Sequence, residues 1–312
     1  MQLSVVVVNW NSREDLARCL ASLREQTVPV QVVVVDNGST DGSPELVREE
    51  FPEAILVANP TNLGFAEGCN RGIEVTSSAW VALLNNDAIA HKSWAEAVLR
   101  ATEEVAESCG MLQSLMLFMH DSNLVNSTGI ELMKDGGGVD RHEHRTRDTT
   151  DTGLTEVFCP TGGAAIYRRS MLDALETPNG YLDRYYFCYY EDLDLGWRAR
   201  LAGWSAYHVP TAVVVHRYQG SSARRGRAWR TMMAESNRLG TLLKNASAPF
   251  LLRCTPRALQ ASVSVLWHGG REGPSRLARS VCNGLEQRKL ASQLCTLDRR
   301  TLEARWVRAK RS

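Results

Sequence analysis

Asn85-Asn86-Asp87, Glu191-Asp192 and His216 are the side chains of this 312-residue chain best placed to do chemistry. Asp87 follows the apolar run VALL at 81–84, so it stands at the carboxyl end of a buried strand, the edge where open α/β sheets bind ligands. A carboxylate there can hold a hard cation such as Mg²⁺ or Mn²⁺ through one or two oxygens and leave the other positions to phosphates and water. The competing role is a cap for the next helix, around residues 91–105. Glu191-Asp192 opens a stretch in which Leu193, Trp197 and Leu201 recur at helical spacing. Acidic residues in a first helical turn complement the helix dipole, and they can equally serve as a base. Arg198, on the same helix, has the fork geometry to orient a carboxylate or phosphate. His216 ends the strand-like VVVH.

The elements that must position these groups follow one another at the spacing of a parallel, doubly wound sheet. Apolar, β-branched runs at 3–8, 30–35, 54–58 and 80–84 alternate with helical patterns at 12–23, 44–50 and 65–75. Asn9, Asp36 and Asp87 each stand just past a strand end and should face one crevice. Beyond Cys109 the pattern loosens into longer strands at 111–119 and 124–133 and a polar, Gly-rich loop at 134–153. Two strands at 156–159 and 164–167 flank the tight connection Pro160-Thr161-Gly162-Gly163. Two more are expected at 204–209 and 212–215, and the remainder is helical in character.

Composition narrows the class. No apolar run approaches the length of a membrane span, and the N-terminus enters strand-like sequence without a basic leader, so a cytoplasmic protein is expected. Eight cysteines with no CxxC pair fit reduced core thiols rather than a disulfide framework. The net charge of +1 hides an asymmetry: residues 1–216 carry 16 Lys and Arg against 30 Asp and Glu, and residues 217–312 carry 20 against 5. A basic tail can meet nucleic acid, anionic lipid or the acidic body of its own chain. Its Arg residues are interleaved with Leu, Ala, Trp267 and Trp306, which favours an interfacial or self-packing helix and no nucleic acid.

A nucleotide pocket can be assembled from strand ends: Asn9, Asp36 and the segment 62–70, with Asn62, Gly64 and Asn70, where glycine lets backbone approach a ligand. There is no GxGxxG after the first strand and no GxxxxGK[ST], which argues against dinucleotide redox enzymes and P-loop kinases. The motifs VVVVNWN, VVVVDNGSTDGS, NLGFAEGCNRG, LLNNDA, CPTGGAAIYRRS, FCYYEDLDLGWR and VVVHRYQGSS occur in this order. Together they resemble the family 2 inverting glycosyltransferases, and most closely the bacterial rhamnosyltransferase-like branch that builds cell-surface polysaccharides. The resemblance covers about residues 1–222.

That resemblance implies an α/β GT-A fold, a Rossmann-like, mostly parallel sheet flanked by helices, over residues 1–222; the sequence pattern beyond it reads as a helical basic C-terminal extension over 223–312. It implies that Asp36, with Asn9, Asn62, Gly64, Asn70 and Asn86, receives a nucleotide-diphospho-sugar. Asp87 and His216 would be ligands of Mn²⁺ or Mg²⁺, although the first acidic position of the family's metal motif is Asn85 here. Asp192 of the Glu191-Asp192 pair would be the base. Gly162 and Gly163 would leave room for the sugar, so that Gly163→Leu blocks it, and Tyr190 would stack a sugar face, with Arg198 close by. The implied activity is transfer of rhamnose from dTDP-rhamnose to a glycan or polyprenyl-linked acceptor, with the tail peripheral at the inner face of the plasma membrane. The alternative is a non-catalytic sugar-nucleotide-binding or scaffold subunit of a polysaccharide assembly. His142 and His144, surrounded by charge and lacking further ligands at helical spacing, are expected in a solvated loop.

Overall fold

The computed structural model describes residues 2–217 and 225–309. The chain begins with strand β1 (Leu3–Asn9), helix α1 (Arg13–Arg24), β2 (Gln31–Asp36), α2 (Ser43–Glu50), β3 (Ile55–Ala58), α3 (Phe65–Glu74) and β4 (Trp80–Leu84). β1 pairs in parallel with β2 and β4, and β2 with β3. Alternate side chains of these strands enter two separate cores. Val6, Val33, Val35, Val81 and Leu83 face one side, and Leu3, Val5, Val7, Val34, Ala82 and Leu84 the other. A sheet covered on both faces needs apolar residues at every position, which is why the strands appear as unbroken Val and Leu runs.

The second stretch adds β5 (Ala88–Ala90), α4 (Trp94–Glu104), β6 (Cys109–Phe118), β7 (Asp121–Ser127), β8 (Ile130–Met133), β9 (Gly138–Asp140), β10 (Thr155–Glu156), β11 (Ala164–Arg168), α5 (Arg169–Leu175), α6 (Glu191–Leu201) and β12 (Ser205–His216), of which β8 and β9 form a separate small sheet and the other strands extend the main one. The main strand order is β10-β12-β6-β11-β4-β1-β2-β3. β11 enters antiparallel between β4 and β6, and β12 runs parallel to β6. The carboxyl ends of β1, β2, β4 and β12 and the amino end of β11 therefore share one edge.

Several expectations change here. β10 and β11 are no hairpin: β10 lies on the outer edge beside β12, while β11 is central. The strands expected at 204–209 and 212–215 are one strand whose register shifts between Val209 and Val213, around Pro210. Pro lacks the ladder N–H, so a bulge absorbs it. The 134–153 segment is not structureless, because β9 pairs with β8. Asp87 does not cap α4: β5 intervenes and Ser93 takes the capping position.

Helices α7 (Gly226–Asn245), α8 (Ala248–His268), α9 (Gly273–Leu294) and α10 (Arg299–Trp306) complete the chain with β13 (Val307–Arg308), which pairs with β8. The boundary expected between 222 and 223 lies outside the described residues. The helices beyond it are fused to the body by a continuous core: Phe158 packs on Trp306, and Trp197 of α6 on Phe250. Basic groups of this region meet acidic ones of the body, Lys244 with Asp183 and Asp194, and Arg305 with Glu156. Part of the charge asymmetry is thus answered within the molecule.

Candidate active site

A cleft of about 850 Å³ opens along the shared sheet edge. Its floor is a chain of amides. Because β4, β1 and β2 are neighbours, Asn86 Nδ2 donates to Asn9 Oδ1 at 2.7 Å, and Asn9 Nδ2 donates to Asp36 Oδ1 at 3.1 Å. Asp36 also accepts from the backbone N–H of Ser39. Asn9 and Asn86 line the cleft with Asn62 and Gly64, while Asp36 sits behind Asn9, buried. Its carboxylate orients Asn9 instead of forming the wall. Asn70 departs further from expectation: its amide is spent on both backbone groups of Leu182, so it ties α3 to the 179–183 segment and presents nothing to a ligand.

At the next strand end, Asp87 Oδ1 lies 3.0 Å from His216 Nε2. His216 Nδ1 lies 2.8 Å from Asn126 Oδ1, which fixes the ring so that Nε2 faces Asp87 and the Asn85 amide, 3.2 Å away. A proton on Nε2 or a bound cation satisfies this pair, and the two atoms are near enough that Asp87 and His216 would both reach one Mg²⁺ or Mn²⁺. Among the described residues no group of three His, Cys, Asp or Glu could hold a metal. The remaining positions would fall to diphosphate oxygens and water.

Across the cleft stands the start of α6. Asp192 Oδ2 accepts from the backbone N–H of Gly162 at 2.8 Å and lies 3.4 Å from Thr161 Oγ1. Burial pushes its carboxyl above the ordinary range, with the Gly162 N–H pulling it back. Glu191 is raised well above that range by burial first and by the Asp192 charge second, and its Oε2 has no hydrogen-bond partner among the described residues. Of the two, Glu191 is the harder to ionise, while the Gly162 and Leu193 N–H groups favour the carboxylate of Asp192. Gly162 meets this group directly: a Cβ there would approach Asp192 Oδ2 at 3.6 Å. Gly163 is small for another reason. Its Cβ would meet Met116 Cε at 2.8 Å and Asn85 Nδ2 at 3.3 Å, and the residue lines the cleft, so Gly163→Leu would crowd both the packing under β11 and the cleft. Arg198 is a second correction. At 2% exposure it is held by Asp194 and by the carbonyls of Leu175 and Tyr181, pointing away from the cleft.

The turn that delivers Glu191 is strained. Phe187, Tyr189 and Tyr190 all have positive φ, a region side chains other than glycine rarely adopt. Tyr190 lines the cleft as the residue before α6. Gly64 is required beside this turn: at φ +90° it lies so close to Phe187 that a Cβ would sit 2.6 Å from the ring. The turn is held from the C-terminal helices. Asn237 Nδ2 of α7 reaches the carbonyls of Tyr186, Cys188 and Tyr189 at 2.8–2.9 Å, and Arg276 of α9 bonds both Tyr186 O and Asn237 Oδ1. Asn237→Leu should therefore cost about 2–4 kcal/mol in urea unfolding, because it leaves buried carbonyls unanswered. Turnover should fall as the turn relaxes, with little change in donor affinity.

Sequence reasoning passed over Asn126, Asn237 and Asp140. The first two carry no local signal. Asp140, at the end of β9, lines the cleft and is pushed up to about 6 by burial, with Ser127 lowering it and the Glu143 and Asp192 charges adding to the rise. Its signal was the one used for Asp87, a carboxylate closing a strand. His142 and His144 are not fully solvated: His144 stacks on Phe118, and burial, more than the neighbouring arginines, lowers His142 to about 4.

The sequence matches the model of glycosyl transferase family 2 over residues 4–176. The chain belongs to glycosyltransferase family 2. It is 29% identical over 246 residues, 71% of this chain and 78% of the other, to N-acetylglucosaminyl-diphospho-decaprenol L-rhamnosyltransferase of Mycobacterium tuberculosis, and the likeness is to the rhamnosyltransferase-like branch. Its fold is similar to that of the mannosyltransferase PcManGT from Pyrobaculum calidifontis in complex with GDP-Man and Mn²⁺, with TM-score 0.52, 18% identity, and coverage of 97% of this chain and 79% of that one. GalNAc-T7 with UDP, GalNAc and Mn²⁺ gives TM-score 0.64 at 13% identity over 80% of this chain and 49% of that one. The architecture is GT-A, and the protein is a glycosyltransferase.

Proposed function

We propose that this glycosyltransferase is inverting and metal-dependent, and that it moves rhamnose from dTDP-rhamnose to a glycan or polyprenyl-linked acceptor in cell-surface polysaccharide synthesis. The observation that carries this reading is one fixed carboxylate, Asp192, set in the same cleft as the Asp87–His216 pair. Asn9, Asn62, Asn86 and the Gly64 backbone supply neutral hydrogen-bonding groups for the nucleoside and diphosphate, with Asp36 holding Asn9 in register. Asp87 and His216 would hold Mn²⁺ or Mg²⁺, which when bound supplies charge stabilisation for the leaving diphosphate. The acceptor oxygen bonds to the anomeric carbon on the face opposite the diphosphate, the bond from that carbon to the diphosphate oxygen breaks, and Asp192 takes the acceptor's hydroxyl proton. A second carboxylic acid to protonate the leaving group is unnecessary, unlike in glycosidases. Asp140 would bind sugar hydroxyls and Tyr190 a sugar face, a role supported by their position in the cleft lining. The rhamnose donor and the lipid-linked acceptor are supported by the name of the mycobacterial relative. A lipid-linked acceptor would in turn give the basic C-terminal region a reason to meet anionic membrane at the inner face of the plasma membrane.

Thermal melting of the purified protein with Mn²⁺ or Mg²⁺ against dTDP-, UDP- and GDP-sugars tests this reading. A donor at a hundred times its dissociation constant should stabilise by about 2.7 kcal/mol. Asp87→Ala should lose the metal-dependent part of that shift. A wild-type protein that no nucleotide sugar stabilises would remove the donor site and leave a scaffold role.

A further inference from the structure

The outward face of α8 is uncovered among the described residues. Leu252, Leu259, Val263 and Trp267 are 76, 64, 65 and 82% exposed, and Pro256 and Leu266 are exposed between them. At 100° per residue these six side chains fall within a wedge of about 100°, a continuous apolar stripe along a helix about 30 Å long. An exposed apolar run of this extent marks an interaction surface. Residues 245–271 contain no acidic side chain; their charges are Arg253, Arg257 and Arg271, of which Arg253 and Arg271 are exposed.

We infer that this stripe is a bilayer-docking surface, seated in the interface of a membrane that carries anionic headgroups. No helix among the described residues is long and apolar enough to cross a membrane, so α8 lies on the surface rather than spanning it. The amphipathic Trp267 suits the headgroup boundary. Charge decides between a membrane and a second copy of this chain. The same face of another copy would set Arg against Arg along the helix, with Glu272 beside Arg271 as the nearby carboxylate in sequence, whereas anionic headgroups neutralise both arginines. The opposite face of α8 leads to the active site. Buried Val265 packs with Met232 and Met233, and this cluster continues into Phe187, Tyr189 and Trp229, three residues of the cleft wall. A membrane beneath α8 would thus lie beside the cleft, where a lipid-linked acceptor could enter. The purpose of the surface rests on the acceptor reading above, but its observations do not.

Flotation of the full-length protein with phosphatidylcholine vesicles, with and without phosphatidylglycerol, tests the inference. The wild type should partition to the anionic vesicles and be released by salt. Leu259→Ser/Val263→Ser/Trp267→Ser should lower partitioning by about tenfold or more without changing the melting temperature. Arg253→Glu/Arg271→Glu should abolish the preference for phosphatidylglycerol and its salt dependence. Equal partitioning of the triple variant, or none by the wild type, would overturn the assignment. So would light scattering that shows a wild-type dimer lost in the triple variant with no vesicle binding, which would give the face to a second copy. Donor-induced melting shifts on the same samples keep the two readings apart. A retained shift with no flotation sinks only the membrane surface, and flotation without a shift sinks only the donor site.

Discussion

Asp192→Asn should lower turnover by about 10²–10⁴-fold, the range a positioned general base contributes, while leaving the protein at least as stable as the wild type near neutral pH. The two effects have one origin. Burial raises the Asp192 carboxyl, so its ionised form at neutral pH is a cost that the folded state bears and the unfolded chain does not. A group whose folded pKa lies above its unfolded value contributes stability below the unfolded value and loses it as pH rises through the folded one. Asparagine carries no such charge and keeps nearly the same shape beside Gly162. Wild-type turnover should accordingly rise with pH through the raised carboxyl value, as Asp192 loses its proton, and the residual rate of the variant should not follow that limb. Initial rates from pH 5 to 8, beside melting curves over the same range, check both halves. A variant that loses stability together with activity would make Asp192 a structural helix-start carboxylate instead.

The parallel half of the fold was legible because each of its strands is covered on both faces and stops at a polar residue. A run such as VVVV before Asn9 or Asp36 has few other uses. The placement of Asp87, Asp192 and His216 around one cleft followed from that logic together with motif order. What stayed hidden depends on distance in sequence. Nothing near β11 says that it slips antiparallel between β4 and β6, and nothing near residue 307 says that β13 joins β8. Arg198 shows the same limit within the site. Its helical spacing from Asp194 was visible, but spacing alone does not say which face of α6 is buried, and burial turned a candidate ligand group into a packing group. Asn70 was misjudged likewise, since its partner is more than a hundred residues away. Asn126 and Asn237 act on His216 and on the 186–189 carbonyls, relations that exist only once the chain is folded.

Lys244→Met should produce the largest loss of stability, about 3–5 kcal/mol, because it strips the cation from two buried carboxylates at once. Lys244 Nζ lies 3.0 Å from Asp183 Oδ2 and 2.9 Å from Asp194 Oδ2, and all three side chains are essentially inaccessible. Asp194 retains Arg198 and Asn245. Asp183 is left with hydrogen bonds from Asn179, Asn283 and the Tyr185 N–H, and Lys244 is its one cation among the described residues. Burial alone would raise Asp194, but Lys244 and then Arg198 hold it below the usual carboxylate range. Its contribution is therefore present above the unfolded value, about 3.9, and fades as pH falls through the folded one. The deficit of Lys244→Met should therefore hold from neutral pH down to about pH 4 and narrow below it, as Asp194 gains its proton. Adding Asp183→Asn should recover much of the loss, since removing both partners leaves no uncompensated charge. Urea unfolding at pH 7 and pH 3 measures each term, and a deficit that is the same at both would reduce Lys244 to a packing residue. The same triad joins α7 to α6, whose first turn carries Glu191 and Asp192, so the basic C-terminal region is built into the frame that aims the candidate base.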